Sequence, residues 1–158
     1  MAGCIFALTV MIIPVDANAL EMRWTGTTGD WIDPSNWDIG RPGVTDLAII
    51  NNGGTAEINA GSEACAILRI GFTNTNSGNL VMSGGGLYVK DISHTGYGGT
   101  GTFDHSGGTH TVDGGLHVGT YSNGHGTYDL DGSGSLMAHS MYIGNAGIGI
   151  FNHSAGTA

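Results

Sequence analysis

The feature that most constrains the fold is a glycine-punctuated repeat that begins near Gly71. Each copy contains a short apolar element that ends in glycine, and these glycines are Gly71, Gly96, Gly119 and Gly144. A large apolar residue follows each glycine, and these residues are Leu80, Phe103, Tyr128 and Phe151. The spacings alternate between 25 and 23 residues, which indicates one supersecondary unit stacked on itself. Such an array buries its core between neighbouring units.

Each repeat unit is predicted to contain three short strands joined at glycine-rich corners such as 83–86 and 98–101. After residue 19, no window has the apolar spacing of a long helix. Leucine-rich repeats share a period of this size, but this chain has too few leucines at the required offsets, and propeller blades need about 40 residues per unit. The sequence therefore predicts an all-β fold, a parallel β-solenoid (β-helix) that is right-handed by the general crossover rule.

Side chains alternate along a strand, so the repeat also predicts which residues form the core. The predicted inward residues are Leu68, Ile70, Phe103, Leu116, Val118, Tyr128, Met141, Ile143 and Phe151. The side chains between them are expected to face solvent and to form ladders from coil to coil.

The chain divides into three predicted segments. Residues 1–19 are predicted to be a signal peptide, because the apolar run at 4–15 is followed by Ala17-Asn18-Ala19, a typical cleavage pattern. No Lys or Arg precedes the run, and the alternative is a buried N-terminal strand. Residues 20–46 hold all three tryptophans and are predicted to cap the first coil. Residues 47–158 are predicted to be the solenoid, cut in the middle of a coil.

The charge of the chain argues against a nucleic-acid partner. The sequence has 13 Asp and Glu against 4 Lys and Arg, which gives a net charge of −9. Binding to phosphates needs a basic face, and four cations in 158 residues do not supply one. A negative surface suits solubility or divalent cations instead.

The segment that follows the predicted signal peptide carries a distinctive motif. It reads W…GDW-x4-NW-x-x-G-x-P, and its fixed residues are Trp24, Gly29, Trp31, Asn36, Trp37, Gly40 and Pro42. A D-x-A-x-I element at 46–50 and the glycine-rich coils follow. This order resembles the bacterial autotransporter-passenger-like β-strand repeat proteins, including those that end in a PEP-type sorting signal. The resemblance implies a β-helix, export, and a role at a surface or in a matrix. It implies no catalytic residues, since that family has no single activity.

The register of the coils predicts a column of polar residues, Asn79, Asp104, Asp129 and Asn152. Stacked strands lie about 4.8 Å apart, so Asp104 and Asp129 are expected to be near neighbours. Like charges in that position destabilise a sheet, and solvent screening, a bridging Ca²⁺ or a shared proton would relieve them. A hydrated ladder is the simpler interpretation. If the column is a site, Ca²⁺ is the predicted ion, and Asp131 on the next corner would supply another oxygen.

The histidines suggest metal binding, but their spacing favours another role. His94, His117 and Tyr142 align in successive coils and are predicted to form an aromatic ladder, because a zinc site needs three or four ligands. His105 and His153 are predicted to lie two coils apart, which is too far for one ion.

The tryptophans at 24, 31 and 37 have two possible roles. Trp24, Trp31 and Trp37 could present a flat platform for a glycan. The favoured prediction is that they close the core of the first coil, since large aromatic residues dominate burial where little core is available.

Taken together, these patterns predict a non-catalytic, secreted or cell-surface β-helix segment with a structural or adhesive role. A glycan or a matrix component is the expected partner, and an open solenoid end would allow self-association. The alternative is a carbohydrate-active β-helix protein, either a polysaccharide lyase or a glycan-binding protein. The scarcity of Lys and Arg argues against a lyase for acidic sugars, and the sequence lacks the G-x-S-x-G and H-E-x-x-H motifs.

Overall fold

The computed structural model describes residues 19–158, so the predicted signal peptide lies outside the described residues except for Ala19. This part of the chain forms a β-solenoid of about six turns. Its strands are β1 (Glu21–Arg23), β2 (Thr28–Asp30), β3 (Leu47–Ile50), β4 (Thr55–Ile58), β5 (Ser62–Ile70), β6 (Ser77–Thr95), β7 (Thr100–Val118), β8 (His125–Leu130), β9 (Ser135–Ile143) and β10 (Ile148–His153). A short 3-10 helix spans Pro34–Asn36.

The strands of successive coils pair in parallel and in register. Thr55 pairs with Asn79, Asn79 with Thr102, and Thr102 with Thr127, so the coil length is 24, 23 and then 25 residues. The predicted period near 24 residues and the predicted parallel stack are confirmed. The strands β6 and β7 each run for 19 residues around several faces of one coil, and the register between them shifts at corners. The right-handed sense of the coil stays a prediction.

The core lies in columns of inward side chains, one residue from each coil. Six of the predicted core residues are almost completely buried: Leu68, Ile70, Phe103, Leu116, Val118 and Tyr128. Phe151 is only partly buried. Met141 and Ile143 occupy the predicted columns, but they are 40% and 42% exposed, because no described coil stacks on the far side of theirs. An inward position in a solenoid is therefore buried only when both neighbouring coils are present.

The repeating glycine marks a corner that only glycine tolerates. Gly96 has a φ of +72°, and its column neighbours Gly71, Gly119 and Gly144 have φ values of +66°, +72° and +67°. A Cβ added at Gly96 would lie 2.4 Å from the backbone nitrogen of Gly126 in the next coil. The corner predicted at 98–101 thus has its left-handed residue at Gly96, just before that stretch. Both the left-handed backbone and the close approach of the next coil explain why the sequence repeats this glycine.

The N-terminal segment 20–46 is more than the predicted cap. Its strands β1 and β2 pair in parallel with β3 and β4, so the segment forms the first coil of the stack. The three tryptophans belong to the same segment and pack edge to face. The ring centroids of Trp24 and Trp37 are 5.2 Å apart, and those of Trp31 and Trp37 are 4.8 Å apart. The segment therefore continues the sheet and closes its core with aromatic rings.

Candidate functional site

The outward column around Asp104 is present, with one correction to its membership. Asp104 pairs with Asp129, and Asp129 pairs with Asn152, as predicted. The prediction for Asn79 is wrong, because Val81 is the residue that pairs with Asp104. Asn79 precedes its inward neighbour, Leu80, whereas the acidic residues follow theirs. We call Asp104, Asp129 and Asn152 the acidic column.

The acidic column has an unusual electrostatic character. Partial burial raises the pKa of Asp104, and the nearby charges of Asp129 and Asp131 and a hydrogen bond with Asp129 raise it further. The Asn152 Nδ2 donates a hydrogen bond of 2.6 Å to the Asp129 Oδ1. Asp129 therefore has a favourable amide neighbour, Asn152, on one side and a carboxylate of like charge, Asp104, on the other.

The acidic column borders a groove of about 280 Å³, to which Asp131 also contributes. Within residues 19–158, however, no group of three or more His, Cys, Asp or Glu side chains is arranged to hold a metal ion. The Ca²⁺ site at Asp104, Asp129 and Asp131 therefore stays a prediction, and the structure supports the pairing of the first two carboxylates alone.

The same column carries further carboxylates towards the N-terminus, which the sequence analysis missed. Glu57 pairs with Val81, and Asp30 pairs with Glu57. They line a cleft of about 400 Å³ together with Glu63, whose side chain is 2% exposed and contacts Arg41 across 3.5 Å. Burial raises the pKa of Glu63, and the Arg41 charge offsets part of the shift. Glu57 lies two coil lengths before Asp104, so the repeat spacing would have revealed this extension.

The three tryptophans do not present a platform for a ligand in this structure. The exposed fractions of Trp24, Trp31 and Trp37 are 1%, 0% and 4%. The Trp37 indole nitrogen donates a hydrogen bond of 2.9 Å to the Trp31 carbonyl oxygen, which holds the two rings together. Their burial agrees with the favoured role in the core and leaves no ring face for a sugar.

The predicted ladder of His94, His117 and Tyr142 is present. His94 pairs with His117, and His117 pairs with Tyr142. The ring centroids are 5.0 Å apart in the first step and 4.6 Å apart in the second. Arg69 precedes them in the same column. Desolvation lowers the pKa of His94 to about 3, and the charges of His117 and Arg69 add to the effect.

A second aromatic ladder runs beside the first, and the sequence analysis missed it. The rings of Phe72 and Tyr97 are 5.3 Å apart, and those of Tyr97 and Tyr121 are 4.7 Å apart. The Arg69 Cζ lies 5.0 Å from the Phe72 centroid and 4.5 Å from the Tyr97 centroid. The signal in the sequence was an aromatic residue one or two positions after the repeating glycine.

Between the two ladders lies a groove of about 340 Å³, which we call the aromatic groove. It is lined chiefly by Arg69, His94, Tyr97, His117, Thr120 and Tyr121. The His94 Nδ1 and the Thr120 Oγ1 are 3.0 Å apart and hydrogen-bonded. The groove thus combines ring faces, hydroxyl groups and one fixed positive charge.

His105 has a different environment from the outward histidines. As predicted, Leu130 separates it from His153 in the same column, so the two cannot share an ion. His105 is buried, and its Nδ1 lies 2.9 Å from the Tyr128 hydroxyl. The Nδ1 of buried His110 lies 3.0 Å from the same hydroxyl. Desolvation lowers the pKa of His110 to about 3, so this core cluster is uncharged at neutral pH.

Comparison of the chain with family models, with curated proteins and with solved structures finds no match to any of them. In the part of the chain that the structure describes, no helix is long and apolar enough to span a membrane. The function must therefore be argued from the solenoid and its surface columns.

Proposed function

We propose that this chain is a non-catalytic, secreted or cell-surface β-helix segment with a structural and adhesive role. The observation that carries the proposal is the in-register stack of about six coils, which turns single outward residues into continuous ladders. Ladders of this kind form long, flat faces on which many equivalent contacts add up. Solenoids use such extended surfaces to bind partners.

Export and the family resemblance belong to the same proposal. The apolar run and the A-x-A pattern within residues 1–19 support passage through a membrane. The tryptophan motif from Trp24 to Pro42, followed by glycine-rich coils, supports kinship with autotransporter-passenger-like proteins. A glycan or a matrix component is the proposed partner of the exposed faces.

Self-association is proposed at the C-terminal coil. Ile148 and Ile150 are 56% and 47% exposed, and Met141 and Ile143 beside them are also exposed. The backbone edge and these apolar side chains would pair with a second solenoid of the same kind.

Two measurements test the proposal. Residues 1–19 fused to a phosphatase that is active only after export should give active enzyme, and replacing Ala17 and Ala19 by Leu should block cleavage. Inactive phosphatase would contradict the secreted role.

The purified chain should be retained on a column of polysaccharide gel without releasing sugar fragments from it. The heat-unfolded chain should not be retained. Equal retention of the unfolded chain would contradict the adhesive role. Release of fragments that is lost in Asp104→Asn would replace it with the carbohydrate-active alternative.

A further inference from the structure

The aromatic groove contains one of the few cations of an acidic protein. The sequence has only 4 Lys and Arg residues; Arg69 lines the groove, and Arg23 approaches Phe72 beside it. The Arg69 Cζ lies over the rings of Tyr97 and Phe72, and the Arg23 Cζ lies 6.0 Å from the Phe72 centroid. Arg23 pairs with Glu21, and within residues 19–158 Arg69 has no acidic partner. Arg69 is therefore the uncompensated charge of the groove.

Two polar atoms of this groove have unused hydrogen-bonding capacity. The Arg69 Nε and the His117 Nδ1 are buried and have no hydrogen-bond partner in the described part of the chain. Buried polar atoms without a partner are rare in proteins, so two of them in the wall of one groove favour a ligand there. Both belong to residues that line the same cavity.

The histidine rings of the groove stay neutral, and the tyrosine rings beside them offer exposed faces for apolar contact. Burial lowers the pKa of both His94 and His117. Tyr121 is 53% exposed and Tyr142 is 48% exposed, so the ladders are open to solvent along one side. The rise from ring to ring is close to the strand spacing, so a ligand that repeats along the solenoid axis meets an equivalent ring at each coil.

These features together select one class of ligand. Aromatic ring faces pack against the apolar face of a pyranose, an exposed hydroxyl group such as that of Tyr121 pairs with sugar hydroxyls, and a guanidinium pairs with a carboxylate. A small inorganic anion would not use the rings, and a neutral sugar would leave Arg69 unpaired. Elsewhere the negative surface repels acidic polymers, which directs them to this face.

We propose that the aromatic groove binds an acidic oligosaccharide, with a uronic acid carboxylate at Arg69 and sugar rings on Tyr97 and Tyr121. The proposal rests on the non-catalytic adhesive function and names its ligand class. Binding without cleavage fits the groove, because the chemistry-bearing carboxylates of Asp104 and Asp129 belong to a different column and line a different groove.

The test is a calorimetric titration of the purified chain with a galacturonic acid trimer and with a neutral galactose trimer. The acidic trimer should bind roughly tenfold or more tightly than the neutral one, as expected for a charged hydrogen bond. Arg69→Met should abolish this difference. Lys90→Met, which removes an exposed cation outside the groove, should leave binding unchanged.

Tyr121→Ala gives an independent test, since the side chain is half exposed and its loss should not disturb folding. It should weaken both trimers by a similar factor, roughly fivefold to tenfold. Thermal melting of each variant verifies that it is folded. Equal binding of the two trimers, no binding of either, or equal weakening by Lys90→Met and Arg69→Met would overturn the proposal.

The outcomes also separate this inference from the broader function. Retention on polysaccharide gels without binding of the acidic trimer would overturn the groove assignment and leave the adhesive role intact. Cleavage of the bound trimer would overturn the non-catalytic role itself.

Discussion

Phe103 and Asp104 are neighbours in the same strand, yet their columns have opposite effects on the fold. Inside the solenoid, Phe103 stacks on Tyr128 with ring centroids 4.6 Å apart, and both side chains are fully buried. Outside, Asp104 stacks on Asp129, and their like charges help to raise the pKa of Asp104. The stacking geometry is the same for both columns. Stacking identical positions therefore adds burial to burial in the inward column and charge repulsion to charge repulsion in the outward column. The outward columns contribute little to the core and are free for function.

The largest difference between the columns is expected from truncating a core ring. Phe103→Ala should lower the free energy of unfolding by about 3–5 kcal/mol, because it leaves a cavity between two coils. Asp104→Ala, one residue away, should change it by less than about 0.5 kcal/mol. Urea denaturation followed by circular dichroism measures both. Similar losses in the two variants would mean that inward and outward positions do not differ as described.

The corner glycines allow a comparison between an interior coil and the last described coil. Gly96→Ala should destabilise the protein by about 2–3 kcal/mol, since it combines a left-handed backbone with a clash against Gly126. Gly144→Ala should cost only about 1 kcal/mol, because its φ is also positive but the nearest atom to a new Cβ is 3.5 Å away. Thermal unfolding of the two variants gives the ranking. Equal losses at the two glycines would show that backbone strain alone, rather than contact with the next coil, sets the cost.

Acid should weaken the core through His110. Its pKa is about 3 in the folded chain and near 6.5 when unfolded, so below pH 6.5 the unfolded state binds the extra proton. The stabilisation is complete above pH 6.5 and falls as the pH drops towards 3. The loss amounts to about 2 kcal/mol at pH 5 from this residue alone.

The matched variant is His110→Leu, since Leu87 and Leu136 occupy the same column in the adjacent coils. It should flatten the pH dependence of the unfolding free energy between pH 7 and 5, measured by urea titration. An unchanged acid slope in this variant would assign the effect to other groups.

The smallest effect is expected at the acidic column. Asp104→Asn should stabilise the protein at pH 7 by less than about 1 kcal/mol, because it places an amide beside Asp129, as Asn152 already does. Differential scanning calorimetry in the presence of a chelator measures the shift in Tm. A destabilised variant would show that the two carboxylates share a proton or another favourable contact.

The same variant tests the predicted calcium ion. If Ca²⁺ bridges Asp104 and Asp129, added Ca²⁺ should raise the Tm of the parent protein more than that of Asp104→Asn. Equal shifts, or none in either protein, would remove the calcium prediction.

The sequence was informative wherever successive coils repeat a residue type at the same position. The glycine column through Gly96 and the inward column through Phe103 both follow from an offset near 24, and both are confirmed. The error at Asn79 shows the limit of that reasoning. Asn79 and Val81 flank the inward residue Leu80 and both face outward, but only Val81 pairs with Asp104, so the repeat period alone does not tell which of the two joins the acidic column.

Contacts across the interior could not be predicted in the same way. His105 and His110 lie on β7 and Tyr128 lies on β8, and their hydrogen bonds depend on how the faces of one coil close over the core. The aromatic groove has the same origin, since Arg69 reaches the rings of Phe72 and Tyr97 around a corner. Repeat spacing orders residues along the solenoid axis, but it contains no information about distances around the coil.

The sequence by itself therefore determined the stack: its period, its parallel register and the sign of its charge, because these properties depend on residue order alone. The tertiary structure decided the rest. It buried Trp24, Trp31 and Trp37 in the first coil, exposed Met141 and Ile143 in the last, and brought Arg69 over two rings. Burial depends on neighbouring coils, and site geometry depends on the shape of the coil's cross-section, and both properties arise only when the chain has wound on itself.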